Sequence, residues 1–142
     1  MNKQNKNICI HVCDDNPVAI EKAIKITKDL LNEEGLAAEI ITYEDGNQFT
    51  ERYKERKDEL LILDIDMPGK SGLDILKEFE IHCKNNRVIL LTAYDNLALQ
   101  SLMYGPFQIV RKDLMEIDLE KAIRRFLRIR NEQNAQLEIK ED

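Results

Sequence analysis

Two pairs of acids, a hydroxyl and an ammonium punctuate this sequence where apolar runs end. Ile8-Cys9-Ile10-His11-Val12-Cys13 leads into Asp14 and Asp15, and Leu60-Leu61-Ile62-Leu63 leads into Asp64, with Asp66 two residues on. Val88-Ile89-Leu90-Leu91 ends at Thr92, and Phe107-Gln108-Ile109-Val110-Arg111 ends at Lys112. Clustered carboxylates can ligate a hard divalent cation through oxygen, and an ionised aspartate is a nucleophile able to form a covalent phosphoryl intermediate. A hydroxyl donor and a lysine point charge would neutralise the oxygens of a phosphoryl group in transfer. Singly, each residue has a plainer reading as a turn acid, a strand-end threonine or a surface lysine. Together they argue for one phosphoryl-transfer site.

The elements around them must bring these ends together. The run at Leu60–Asp64, followed by Met67-Pro68-Gly69, has the length and bounds of a strand buried on both faces, which is typical of a parallel sheet. Asn16-Pro17 gives a cap and a first helical residue for a helix carrying Ile20, Ala23, Ile24, Leu30 and Leu31, stopped by Gly35. Ala37 to Tyr43 reads as a second strand, Asp45-Gly46 as a turn, and about Asn47 to Arg56 as a polar helix. Ser71-Gly72 opens a helix with Leu73, Ile75, Leu76 and Phe79. Another helix spans about Asn96 to Met103, and a last amphipathic one runs from near Leu114 to at least Arg130. Five alternations of strand and helix make an α/β domain with one doubly wound five-stranded parallel sheet. The expected strand order is 2-1-3-4-5, with a switch point between strands 1 and 3. Parallel strands place their carboxyl ends on one rim, so Asp14, Asp15 and Asp64 fall at that switch point, with Thr92 and Lys112 beside them.

The chain of 142 residues fits a single domain. Its net charge of −6 argues against direct nucleic-acid contact by bulk electrostatics. No apolar stretch is long enough to span a bilayer and no signal-peptide pattern opens the chain, so no membrane contact is expected. Cys9, Cys13 and Cys83 form an odd set without metal-ligand spacing, and read as small buried hydrophobes in a reducing, cytoplasmic setting. Residues 1–7 read as a disordered tail, 8–130 as the domain, and 131–142 as a helix extension or a linker to an output domain.

The Asp14-Asp15 pair, Leu63-Asp64-Ile65-Asp66-Met67-Pro68-Gly69 with Gly72, Leu91-Thr92-Ala93 and Lys112 together resemble the receiver domain of bacterial two-component response regulators, a flavodoxin-like fold, across about residues 8 to 130. The resemblance implies that Asp64 accepts a phosphoryl group from a sensor histidine kinase. It implies Mg²⁺ held by Asp15 and Asp64, with Asp14 in the outer sphere and the Asp66 backbone carbonyl as a further ligand. Thr92 and Lys112 would contact phosphoryl oxygens. Such a domain catalyses only its own phosphorylation and dephosphorylation. It is a switch whose Asn96–Lys112 face would control dimerisation or an output domain, with transcription as the regulated process. The run Tyr104-Gly105-Pro106-Phe107-Gln108-Ile109-Val110-Arg111-Lys112 looks most like receivers that precede a LytTR-type DNA-binding domain.

The sequence departs from the family at two places. Asp113 follows Lys112 where the pattern has a cis proline, so the loop there is expected to be trans and reshaped. Ile109 occupies the position of the aromatic switch residue and cannot make its rotameric swing. Asp66 reads either as a solvated loop acid or as a group that changes the lifetime of the phosphorylated state. The basic run Lys121, Arg124, Arg125, Arg128 and Arg130 reads first as a solvated helix face and second as a docking or dimer surface. Two rival classes stay open at this point. Asp64-Ile65-Asp66 also resembles the D-x-D of haloacid dehalogenase-type phosphatases, although those place it on the first strand. The same fold could also serve as a binding module independent of phosphorylation.

Overall fold

The computed structural model describes residues 8–81, 85–93 and 95–141. The expected N-terminal tail, Cys83 and Asp142 lie outside them, as does the side chain of Asn96. Strands β1 (Ile8–Cys13), β2 (Ala38–Tyr43), β3 (Glu59–Asp64), β4 (Val88–Thr92) and β5 (Gln108–Arg111) form one parallel sheet in the order β2-β1-β3-β4-β5. Helices α1 (Pro17–Glu33), α2 (Gly46–Arg52), α3 (Gly72–Ile81), α4 (Asp95–Leu102) and α5 (Met115–Glu141) follow the strands in turn. The strand order and the alternation are those expected from the apolar runs.

Every residue of β1, β3 and β4 is buried, because these strands are covered on both faces. Alternation along them feeds two cores. Ile8, Ile10, Val12, Leu60, Ile62, Ile89, Leu91 and Val110 face α1 and α5, meeting Ala23, Leu30, Leu31, Leu119, Ile123 and Leu127. Cys13, Leu61, Leu63, Val88 and Leu90 point the other way and pack with Phe49, Ile75, Leu76 and Phe79. Cys9 and Cys13 are both buried with free thiols. Burial pushes the Cys13 thiol up to about 12, with the nearby carboxylates of Asp14, Asp45 and Asp64 adding to the effect.

Local chemistry sets the helix ends. Asn16 caps α1 by accepting a hydrogen bond from Val18 N–H at 2.9 Å, with Pro17 at the first helical position. Gly35, at φ +70°, lets the chain turn out of the helix while Leu36 N–H donates back to Leu31 O at 2.9 Å. Helix α2 corrects the expectation of a helix to Arg56. It stops at Arg52, because Tyr53 turns extended (φ −65°, ψ 129°) and its hydroxyl donates to Glu59 at 2.6 Å. The last helix runs through residues 131–141, and Arg130 holds it to the sheet's amino end by pairing Nε and Nη2 with Asp58 at 2.6–3.1 Å. Among the described residues no helix is long and apolar enough to cross a membrane.

Candidate functional site

The strand ends place the acids side by side. Asp14 directly follows β1 and is fully buried, while its neighbour Asp15 is exposed. Asp64 closes β3, adjacent to β1, and is 3% exposed. One ligand oxygen from each of Asp14, Asp15 and Asp64 can be chosen so that all lie within 4.8 Å of one another. In the sheet register Asp64 pairs with Leu91, so Thr92, the buried last residue of β4, stands one residue beyond it. Thr92 in turn pairs with Arg111 of β5, immediately before Lys112. All five of these residues therefore occupy the carboxyl rim, as the strand pattern anticipated. Asp66 also sits there, in the β3–α3 loop, with its side chain turned to solvent and its N–H 3.3 Å from Asp64 Oδ1.

Lys112 ties the acids together. Its ammonium lies 2.9 Å from Asp14 Oδ2 and 3.1 Å from Asp64 Oδ2. The other Asp14 oxygen accepts from Asn16 N–H at 2.9 Å, so the cap of α1 also fixes this carboxylate. The buried second oxygen, Asp14 Oδ2, has the Lys112 ammonium as its partner. Buried Asp14 with the two further carboxylates makes a donor set of hard oxygens that fits Mg²⁺.

Electrostatics follows from this crowding. Burial, and then repulsion from Asp14, pushes Asp64 up to about 7 despite the pull of Lys112. Burial works against the Lys112 charge, but Asp14 and Asp64 outweigh it and hold the ammonium above the usual lysine range. Without a metal ion the site thus carries one ammonium against three acids, one of which is poised to hold a proton near neutrality.

The two departures resolve differently. No peptide bond among the described residues is cis, and Lys112–Leu114 forms a 3₁₀ turn in which Arg111 pairs with Asp113 at 2.9 Å. The lysine still reaches both acids across that trans turn. Ile109 is half-buried against the α3-side core, as is Tyr104, which precedes the left-handed Gly105 at φ +63°.

A second polar cluster escaped the sequence reading. His11, in the middle of the central strand β1, is fully buried with Glu59 of β3 beside it. His11 Nε2 lies 3.0 Å from Glu59 Oε1 and Nδ1 lies 2.9 Å from the Tyr43 hydroxyl. Tyr53 O–H and Arg56 N–H also donate to Glu59, at 2.6 and 3.0 Å. The one signal was a histidine on the same strand face as Cys9 and Cys13, inside a run otherwise apolar.

The sequence and the fold have known counterparts. The sequence model of the response regulator receiver domain matches residues 10–124. This chain therefore belongs to the receiver domains of two-component response regulators, which are signalling proteins and not metabolic enzymes. It is 32% identical over 80 residues to sporulation initiation phosphotransferase F of Bacillus subtilis (strain 168), covering 55% of this chain and 64% of that protein. It is 23% identical over 118 residues to the sensory transduction protein LytT of the same organism, covering 83% of this chain and 47% of that one. The chain thus spans under two thirds of the first and about half of the second. The response regulator protein TrrA from Thermotoga maritima, solved in complex with Mg²⁺ and BeF, superposes with a TM-score of 0.62 at 32% identity, over 83% of this chain and 97% of that one.

Proposed function

We propose that this domain is a phosphorylation-dependent switch in which Asp64 is the phosphoacceptor and Asp14, Asp15, Asp64 and the Asp66 carbonyl hold Mg²⁺. The observation that carries the reading is the convergence of three carboxylates and the Lys112 ammonium on one rim of the sheet, on a family member's fold. When bound, Mg²⁺ neutralises the crowded carboxylates and one phosphoryl oxygen. The chain's own residues do the rest. An Asp64 carboxylate oxygen attacks phosphorus in line, the P–N bond to the histidine of a sensor kinase breaks, and the imidazole leaves with a proton from solvent. Lys112 transfers its charge from Asp64 to a phosphoryl oxygen, and the Thr92 hydroxyl donates to another. Asp15, being exposed, is the acid most open to a hydrated cation, while buried Asp14 is held by Asn16 and Lys112.

The switch acts on partners through the Asn96–Lys112 side of the domain, where Leu99, Leu102 and Met103 of and after α4 are 60–80% exposed. Closure of Thr92 and Lys112 on the phosphoryl group changes that side to favour a homodimer or release an output domain, with cytoplasmic transcription control as the readout. The likeness to LytT supports an origin in a LytTR-type regulator. Ile109 excludes an aromatic gate at its position, so the readout runs through the loop after Thr92 and through α4.

The test is to incubate the protein with Mg²⁺ and acetyl phosphate or phosphoramidate and read the intact mass. One added phosphoryl group, absent without Mg²⁺, is expected; no adduct in protein that binds Mg²⁺ would favour the phosphorylation-independent binding module. Lys112→Met should bind Mg²⁺ at least as tightly by calorimetry, since it removes a competing cation. Its phosphoryl uptake should be slower by about 10²–10³-fold, the usual cost of one charge-stabilising donor.

A further inference from the structure

Three consecutive residues of the turn after β2 touch the end of β1 and the loop that follows β3, although none of them belongs to the site. Asp45 offers its backbone carbonyl to the Cys13 thiol at 3.4 Å, and Cys13 is the residue before Asp14. Gly46 packs so closely on the β3–α3 loop that a Cβ there would overlap the carbonyl oxygen of Lys70 and stand 2.8 Å from the Lys70 Cβ. Asn47 places its side-chain amide over Gly69, where a Cβ would lie 2.9 Å from Nδ2. The loop so held is the one that follows Asp64 and contains Asp66, and its far end is fixed by Gly72, whose N–H donates to Ile65 O at 3.0 Å.

The turn itself is hydrogen-bonded. Asp45 caps α2 by accepting from Gln48 N–H at 2.7 Å, and Gln48 answers by accepting from Glu44 N–H at 2.8 Å. The Cys13 thiol also reaches Met67 Sδ at 3.6 Å, so β1, the turn and the loop meet at one buried point. Glycine at position 46 is required by proximity and not by backbone angle, since only Gly35, Gly69 and Gly105 have positive φ.

We propose that Asp45-Gly46-Asn47 is a positioning clamp for the β3–α3 loop, and that Gly46 sets the loop's distance from Asp64 and hence the geometry of cation binding. This deepens the reading of the acidic rim as a Mg²⁺ site and rests on it. The clamp works through the Lys70 and Gly69 backbone. A methyl group at position 46 pushes that backbone outward and draws the Asp66 carbonyl off its place, while Asp14, Asp15 and Asp64 keep their strand positions.

The experiment compares wild type, Gly46→Ala and Asn47→Ala with Leu127→Ala, a core truncation on the opposite α1–α5 face. Mg²⁺ affinity is read by calorimetry, phosphoryl uptake from acetyl phosphate by mass, and Tm and amide spectra in metal-free buffer. Gly46→Ala is expected to weaken Mg²⁺ binding by roughly 10–100-fold, as disruption of a ligand's supporting shell does, and to displace the amide resonances of residues 66–72 without metal. Asn47→Ala, which adds no bulk, should weaken it less but measurably, and serves alone if Gly46→Ala does not fold. Leu127→Ala should lose Tm and keep the wild-type Mg²⁺ affinity. Wild-type affinity in folded Gly46→Ala, or in Asn47→Ala where that is the only folded variant, overturns the clamp. So does a loss in Leu127→Ala equal to that in Gly46→Ala. A wild-type protein that binds no Mg²⁺ overturns the site reading itself and the clamp with it.

Discussion

Replacing Asp64 by asparagine should abolish phosphoryl uptake and, in metal-free buffer at neutral pH, make the domain more stable than the wild type. On the proposed role of Asp64 the first effect is total, because the variant lacks the attacking oxygen and an amide oxygen is no substitute for a carboxylate nucleophile. The second follows from the site's crowding. Asp64 sits buried beside Asp14, and its pKa stands near 7 in the folded protein against 3.8 for the free side chain. The folded state therefore holds a proton that the unfolded chain has released. A group raised in this way contributes stability that is fully present below about 4 and is lost as pH rises through about 7. Asparagine, uncharged at every pH, removes that loss. We expect Asp64→Asn to exceed metal-free wild type by about 2 kcal/mol at pH 7.5, roughly 5–10 °C in Tm for a chain of this size. On the proposed Mg²⁺ site the cation should reverse the ranking, since it would stabilise the folded wild type by mass action and find fewer ligands in the variant. Thermal melts from pH 4 to 8 with and without Mg²⁺ check both statements. A metal-free wild type whose Tm rose steadily across that range would contradict the arrangement of charges described above.

The same residues show how far the sequence could be read. A strand covered on both faces must be apolar throughout, so β1, β3 and β4 announced themselves, and a parallel sheet then forced their ends to one rim. Asp14, Asp15, Asp64, Thr92 and Lys112 were legible because each breaks or ends such a run. Side-chain contacts between one element and the next were not legible. Helix α2 stops early because Tyr53 reaches Glu59, a contact no local periodicity encodes. Residues 131–141 are polar, and their helical state owes more to continuation from the packed turns of α5, with Arg130 on Asp58, than to any apolar stripe. The ion pairs of Lys112 with two acids were equally hidden, since the sequence shows where its strand ends and not where its ammonium reaches. Glu59 directly precedes the Leu60–Asp64 run, and only the fold reveals it as the base of a buried network.

That network carries the second large effect, and its pH dependence has the opposite sign. Glu59 is 2% exposed and accepts from Tyr53 O–H and Arg56 N–H, with His11 Nε2 at 3.0 Å and Arg87 Nη1 at 3.5 Å. Burial opposes its ionisation, yet the bonds from His11, Tyr53 and Arg56 outweigh it and hold the carboxyl below the usual 4.5. Truncation to alanine leaves those donors inside the α3-side core without an acceptor, at about 1–3 kcal/mol for each one stranded. We expect Glu59→Ala to cost about 3–5 kcal/mol, a large share of the 5–15 kcal/mol typical of a domain. Glu59→Gln should recover only part of this, because its amide nitrogen would face a donor. Urea unfolding midpoints at constant m measure the loss. A depressed carboxyl contributes stability above about 4.5 that disappears as pH falls through its folded pKa. Asp64 weakens the metal-free fold as pH rises above about 4, so the two groups together place its stability maximum near pH 4–5. Glu59→Ala should remove much of the acid limb and Asp64→Asn the neutral limb. A profile in which both substitutions altered the same limb would mean that the two buried acids, at opposite ends of β3, do not titrate as independent groups.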